Sequence, residues 1–262
     1  MALLTEFLLR LSFGMAAGMA LVPPRQVTSG YYRNHLYVTL GLSAFAALVG
    51  RVAAPTAFWW AMAAAVLSYV GAVCWLYEKP RLGVALLVGV AATAIVGALQ
   101  LRFGPVASAS VATAAATVAA QPAPAEALRW LQPISSGLLL GTTMAAMLLG
   151  HWYLNAPGME LAPLRRLLVA MAAATALQMA VCGAGLALNA TAGDLSTQQW
   201  LFVLLRWSFG LIGLPLIIWL TWKTLEIPNT QSATGILYVA VICVLAGETM
   251  SLPLSAELPF PV

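Results

Sequence analysis

The sequence predicts an all-α fold: a polytopic integral membrane helical bundle of about eight transmembrane helices, arranged as two four-helix halves. Composition is the first reason. The chain is 62% hydrophobic and 8% charged, whereas a soluble domain carries about 25% charged residues. Patterning is the second. Eight apolar stretches, at 3–22, 35–54, 56–77, 81–101, 131–154, 164–188, 200–222 and 233–252, each approach the ~20 residues that a hydrocarbon core requires of a helix. Punctuation is the third: Pro23, Pro24, Pro55, Pro80, Pro157, Pro163 and Pro228 fall between the stretches, where helix breakers sharpen boundaries.

The first stretch reads as a membrane helix rather than a signal peptide. Glu6 and Arg10 interrupt it, no basic segment precedes it, and Pro23-Pro24 stand where a small-residue cleavage site would be. Short connections make sequential helices antiparallel. Trp59, Trp60, Trp75, Trp130, Trp152, Trp200 and Trp222 lie near helix ends, as an interfacial aromatic belt requires. Gly14/Gly18, Gly137/Gly141 and Gly183 near Ala187 offer small faces for close helix approach. Residues 104–129, rich in Ala, Thr, Ser and Pro, read as an extracytoplasmic linker; a weak or re-entrant helix over 105–120 is the alternative. The linker divides a first half, 1–103, from a second, 130–262. Cys74, Cys182 and Cys243 each sit in an apolar run without metal or redox spacing, which reads as packing.

Basic residues orient the chain. Arg25, Arg33, Lys79, Arg81, Arg165, Arg166 and Lys223 follow the odd-numbered helices, against Arg51, Arg102 and Arg129 on the other side. The positive-inside rule then puts both termini outside the cytoplasm, in a bacterial inner membrane. The net charge of +4 comes from scattered residues, a pattern that excludes a nucleic-acid surface. A faint repeat links Leu9-Arg10-Leu11-Ser12-Phe13-Gly14 to Leu205-Arg206-Trp207-Ser208-Phe209-Gly210, and Leu36-Tyr37-Val38 to Leu237-Tyr238-Val239. Transporter folds often carry such repeats.

Two groups of residues could carry chemistry. Arg206 and Glu248 sit inside the apolar runs of the seventh and eighth helices, where an unpaired ion costs about 2.5–3.5 kcal/mol on insertion scales. The simplest reading is a buried ion pair that locks the hairpin. The functional one is a pocket in the outer leaflet for a quinone head group, a haem propionate or a proton. Glu6 and Arg10, at i and i+4, read as a local pair near the outer surface. Gln178, Thr142 and Thr143 read as helix-packing contacts.

The second group is at the opposite face. His35, preceded by Arg33, opens the second helix, and His151, followed by Tyr153, closes the fifth. Interfacial anchoring explains them most simply. A quinone head group is the next reading, since its carbonyls accept hydrogen bonds and its ring stacks on aromatics. A bis-histidine haem b, with Arg33, Arg165 and Arg166 at its propionates, is less favoured because these positions lie close to water. No P-loop, zinc-protease or nucleophile-elbow motif is present, so the chain is not expected to be catalytic alone.

In helix count, sparse charge and polar sites near the membrane faces, the chain resembles the NrfD-type quinone-interacting subunits of bacterial respiratory complexes. The likeness is architectural and assigns no residues. It implies a membrane subunit that anchors electron-transfer partners and contributes a quinone site. The alternatives are a small-solute or ion transporter, suggested by the faint repeat, and a structural or assembly protein. Lipid and other subunits of a complex are the expected partners.

Overall fold

The computed structural model describes residues 1–103, 123–156, 158–192, 195–227 and 229–262. Within them lie eight helices long and apolar enough to cross a membrane. They are α1 (Ala2–Ala20), α2 (Ser29–Ala53), α3 (Pro55–Leu76), α4 (Pro80–Phe103), α5 (Ala123–Asn155), α6 (Ala162–Ala192), α7 (Thr197–Glu226) and α8 (Thr230–Glu257). The helical, multi-pass architecture expected from composition is present. The expected spans are too short at several ends. α2 begins at Ser29 rather than 35, α6 runs on to Ala192, and α5 starts at Ala123, so the last residues assigned to the linker are helical. Hydropathy marks only the part of a helix that lipid covers. Polar turns such as Thr28-Ser29-Gly30 extend beyond it. The remainder of the proposed linker, 104–122, and the alternative re-entrant helix lie outside the described residues.

Local chemistry explains where α7 and α8 begin. The Ser196 hydroxyl accepts from the Gln199 amide at 3.2 Å while the Ser196 amide donates to Gln199 Oε1 at 2.9 Å, a reciprocal capping box. Asn229 caps α8 by accepting from the Ser232 amide at 3.0 Å.

Each half closes on itself. α1 packs on α2, α2 on α3, α3 on α4 and α4 back on α1; α5 to α8 form a second ring in the same way, with the α6–α7 seam the sparsest. The two rings meet chiefly where α1 lies along α5. Glycine makes that junction possible. A Cβ on Gly14 would collide with the Gly137 carbonyl, and one on Gly141 would collide with the main chain of Gly14 and Met15. In lipid no hydrophobic force pulls helices together, so van der Waals contact between bare backbones is the chief attraction there.

One face of the bundle carries the start of α1 and the end of α8, and the other carries the turns after α1, α3, α5 and α7. The second is stitched by polar ties. Gln26 bonds Glu160 at 2.7 Å, the Trp152 indole donates to Thr28 at 2.8 Å, and Arg165 donates to the Leu225 carbonyl at 3.1 Å.

Candidate functional site

In α7 the α-helical winding gives way to a π-helical segment, Arg206–Ile212. π-bulges re-aim a side chain by inserting an extra residue per turn, and they cluster at functional sites. Here Arg206 is the first residue of the segment, and its side chain is only 1% exposed. The widened turn also brings Gly210 against Gly247 of α8, where an added Cβ would sit 3.0 Å from the opposing Cα.

That close approach sets Arg206 beside Glu248. Nη2 of Arg206 lies 3.3 Å from Oε1 of Glu248, whose side chain is 3% exposed. Both residues stand nine positions from the end of their helix on the terminal face, about 14 Å along the axis. They are therefore deeper than the sequence spans indicated, because α7 and α8 both extend further outward.

All four helices of the second ring converge on this carboxylate. From α5, the Ser136 hydroxyl donates to Oε2 at 2.5 Å; from α6, the Gln178 amide donates to Oε1 at 3.3 Å. On α8 itself, Ser251 donates to the Glu248 carbonyl at 2.7 Å and lies 3.5 Å from Oε2. Ser135 in turn donates to the Gln178 side-chain oxygen. Donors thus occupy both carboxylate oxygens, which is what a charge removed from water requires. Gln178 belongs to the site rather than to packing alone. Ser135, Ser136 and Ser251 were not anticipated. The available signal was the adjacent pair Ser135-Ser136, one turn from Gln132 in α5.

Residues 258–262 complete the site. After Glu257 the backbone leaves the helix and folds back into the ring. Arg206 Nη1 donates to the main-chain oxygen of Val262, a residue only 1% exposed. Gly185 makes room, since a Cβ there would collide with the Pro261 main chain, and Asn189 holds the Phe260 carbonyl at 3.0 Å. Val262 packs with Val203, Leu254, Leu186 and Trp207. Several buried polar atoms nearby have no hydrogen-bond partner among the described residues: Arg206 Nε, Trp207 Nε1 and Asn189 Oδ1 around the tail, and both side-chain polar atoms of Gln132. Orphaned donors and acceptors of this kind cost free energy unless a water or ligand group meets them.

The histidines form a different arrangement. His35 is buried, with its ring 4.5 Å from that of Tyr31 and 6.2 Å from Trp152. His151 is exposed and its Nδ1 lies 3.2 Å from the Tyr238 hydroxyl. The two imidazoles thus face different partners instead of a shared void. Tyr153 is buried and donates to the Glu160 carbonyl, closing the turn after α5. Arg33 is half-buried and makes no ion pair among the described residues. These residues brace the face, and the structure joins none of them to Arg206 or Glu248.

Comparison of the chain with family profiles, curated proteins and solved structures finds no match.

Proposed function

We propose that this chain is an integral membrane subunit of a bacterial respiratory or redox complex in which Arg206 and Glu248 form a quinone head-group site. One observation carries the reading: a buried guanidinium spends one of its N–H groups on a main-chain oxygen, that of Val262. A quinone carbonyl oxygen is likewise a hydrogen-bond acceptor, carried on a flat apolar ring. With the tail withdrawn, such a carbonyl takes the place of Val262 on Arg206 Nη1. The orphaned Arg206 Nε and Trp207 Nε1 supply further donors, and Glu248 is placed to exchange a proton with the reduced head group. On this reading the terminal face is extracytoplasmic, and the partners that carry electrons are separate subunits. Haem has less support, because the two histidines do not face one another.

The polar groups favour this over a transporter. Arg206, Glu248, Gln178 and Ser136 form one closed node. Between it and His35/His151 the core is chiefly apolar, with Leu139, Ala146, Leu149, Met171 and Leu237 all 2% exposed or less. The buried hydroxyls of Thr142, Thr143 and Thr175 there are spent on carbonyls of their own helices.

The test is extraction in a mild detergent, followed by mass spectrometry of copurifying proteins and assay of bound quinone. The expected outcome is redox-partner subunits with quinone near one per chain, and loss of the quinone in Arg206→Lys, which keeps the charge but not the fork of donors. Recovery of a lone homo-oligomer without quinone would overturn the reading.

A further inference from the structure

The α6–α7 seam of the second ring opens into a crevice of about 420 Å³. Leu168, Thr175 and Met179 line one wall, and Pro215, Trp219 and Trp222 the other. The Thr175 hydroxyl is turned away into its own helix, donating to the Met171 carbonyl at 2.7 Å, so the walls are apolar. Leu168 to Met179 spans about 16 Å of helix, running from the face that carries the interhelical turns toward the bilayer centre. At the turn-bearing end stands a cation. The Arg165 guanidinium lies 5.9 Å from the centroid of the Trp222 ring and is held in place by its bond to the Leu225 carbonyl. Lys223, by contrast, is already paired with Glu226 at 3.0 Å. One fixed guanidinium therefore sits over the mouth of an apolar slot.

We infer that this crevice holds one anionic phospholipid, its acyl chain between α6 and α7 and its phosphate on Arg165. Charge complementarity selects the occupant. Basic groups at the mouths of apolar gaps between membrane helices recognise anionic headgroups, and Arg165 is exposed and pairs with no carboxylate among the described residues. Trp222 serves both parts, with its face under the cation and its edge against the chain. The inference is independent of the quinone proposal, since it uses neither Arg206 nor Glu248.

Tryptophan quenching by brominated acyl chains tests it. The purified protein, in its complex, is placed in phosphatidylcholine nanodiscs containing a small fraction of brominated-chain phosphatidylglycerol, and compared with the same fraction of brominated phosphatidylcholine. One arginine at the headgroup level predicts about fivefold enrichment of the anionic lipid at the crevice, read as excess quenching. The Trp219→Phe/Trp222→Phe variant should lose that excess, and Arg165→Gln should reduce it to the phosphatidylcholine level. Ala176→Phe fills the slot without touching Arg165 and should also remove it, which keeps the test intact if Arg165→Gln does not fold. Equal quenching by the two lipids would overturn the inference, as expected if the crevice is reserved for another subunit. An excess that persists without Trp219 and Trp222 would do the same.

Discussion

Among the described residues two arginine–glutamate pairs are buried, one in each half, and they are built in opposite ways. Arg10 and Glu6 sit one turn apart on α1, with side chains 1% and 7% exposed. They are equally shielded from water, though the sequence places them near the surface; α2, α4 and α5 pack around α1 and cover them. Arg206 and Glu248 are joined only by tertiary structure, across the contact between Gly210 and Gly247. A pair within one helix is neutralised as soon as that helix forms. A pair between helices exists only if the ring closes, and two further helices, α5 and α6, supply donors to it. The second kind concentrates consequences in one place.

The comparison makes graded predictions. The largest effect belongs to Glu248→Gln, which leaves Arg206 charged and uncompensated and should cost about 3–5 kcal/mol in equilibrium unfolding. Swapping the two residues should not recover it. The exchanged glutamate would face the main-chain oxygen of Val262, and the exchanged arginine would face the Ser136 and Gln178 donors. Full recovery in the swap would show that only the charges matter and that the site is a lock.

In α1 the reverse holds. The Glu6→Arg/Arg10→Glu swap keeps both charges at i and i+4 on one helix, and should lie within ~1 kcal/mol of the parent. If it is as damaging as the α7–α8 swap, the distinction between local and tertiary pairing fails. The smallest effect is at the opposite face. Tyr238→Phe removes a half-exposed hydrogen bond to His151, worth about 0.5 kcal/mol. A loss of quinone in this variant would move the site to the histidines.

The membrane class and helix number were legible because hydropathy integrates over about 20 residues and tolerates local noise. The Arg206/Glu248 pair was legible for a related reason, since two charges in apolar runs stand out against their background. Its surroundings were not. Ser136, Gln178 and Ser251 are ordinary residues until helices from distant parts of the chain face one another, and helical rotation is not written in a sequence this uniformly apolar. The π-helical turn was equally hidden. Arg206–Ile212 reads as unbroken apolar helix, and only the backbone shows the extra residue that aims Arg206 inward. The tail was missed because Leu258–Val262 has no periodicity and too little length to register as an element. The aromatic setting of His35 was anticipated by composition, but its lack of a joint site with His151 required coordinates.

The glycine contact between α1 and α5 has a consequence for biosynthesis. Gly14 and its partners Gly137 and Gly141 are separated by more than a hundred residues. At ~10 residues per second, α1 waits in lipid for on the order of ten seconds before α5 has been made. During that interval its bare glycine face has no mate. The Arg10–Glu6 pair lets the helix endure the delay, because the two opposite charges meet within α1 itself. The ribosome thus delivers a first half that is electrostatically finished but sterically open, and the arrival of α5 closes it.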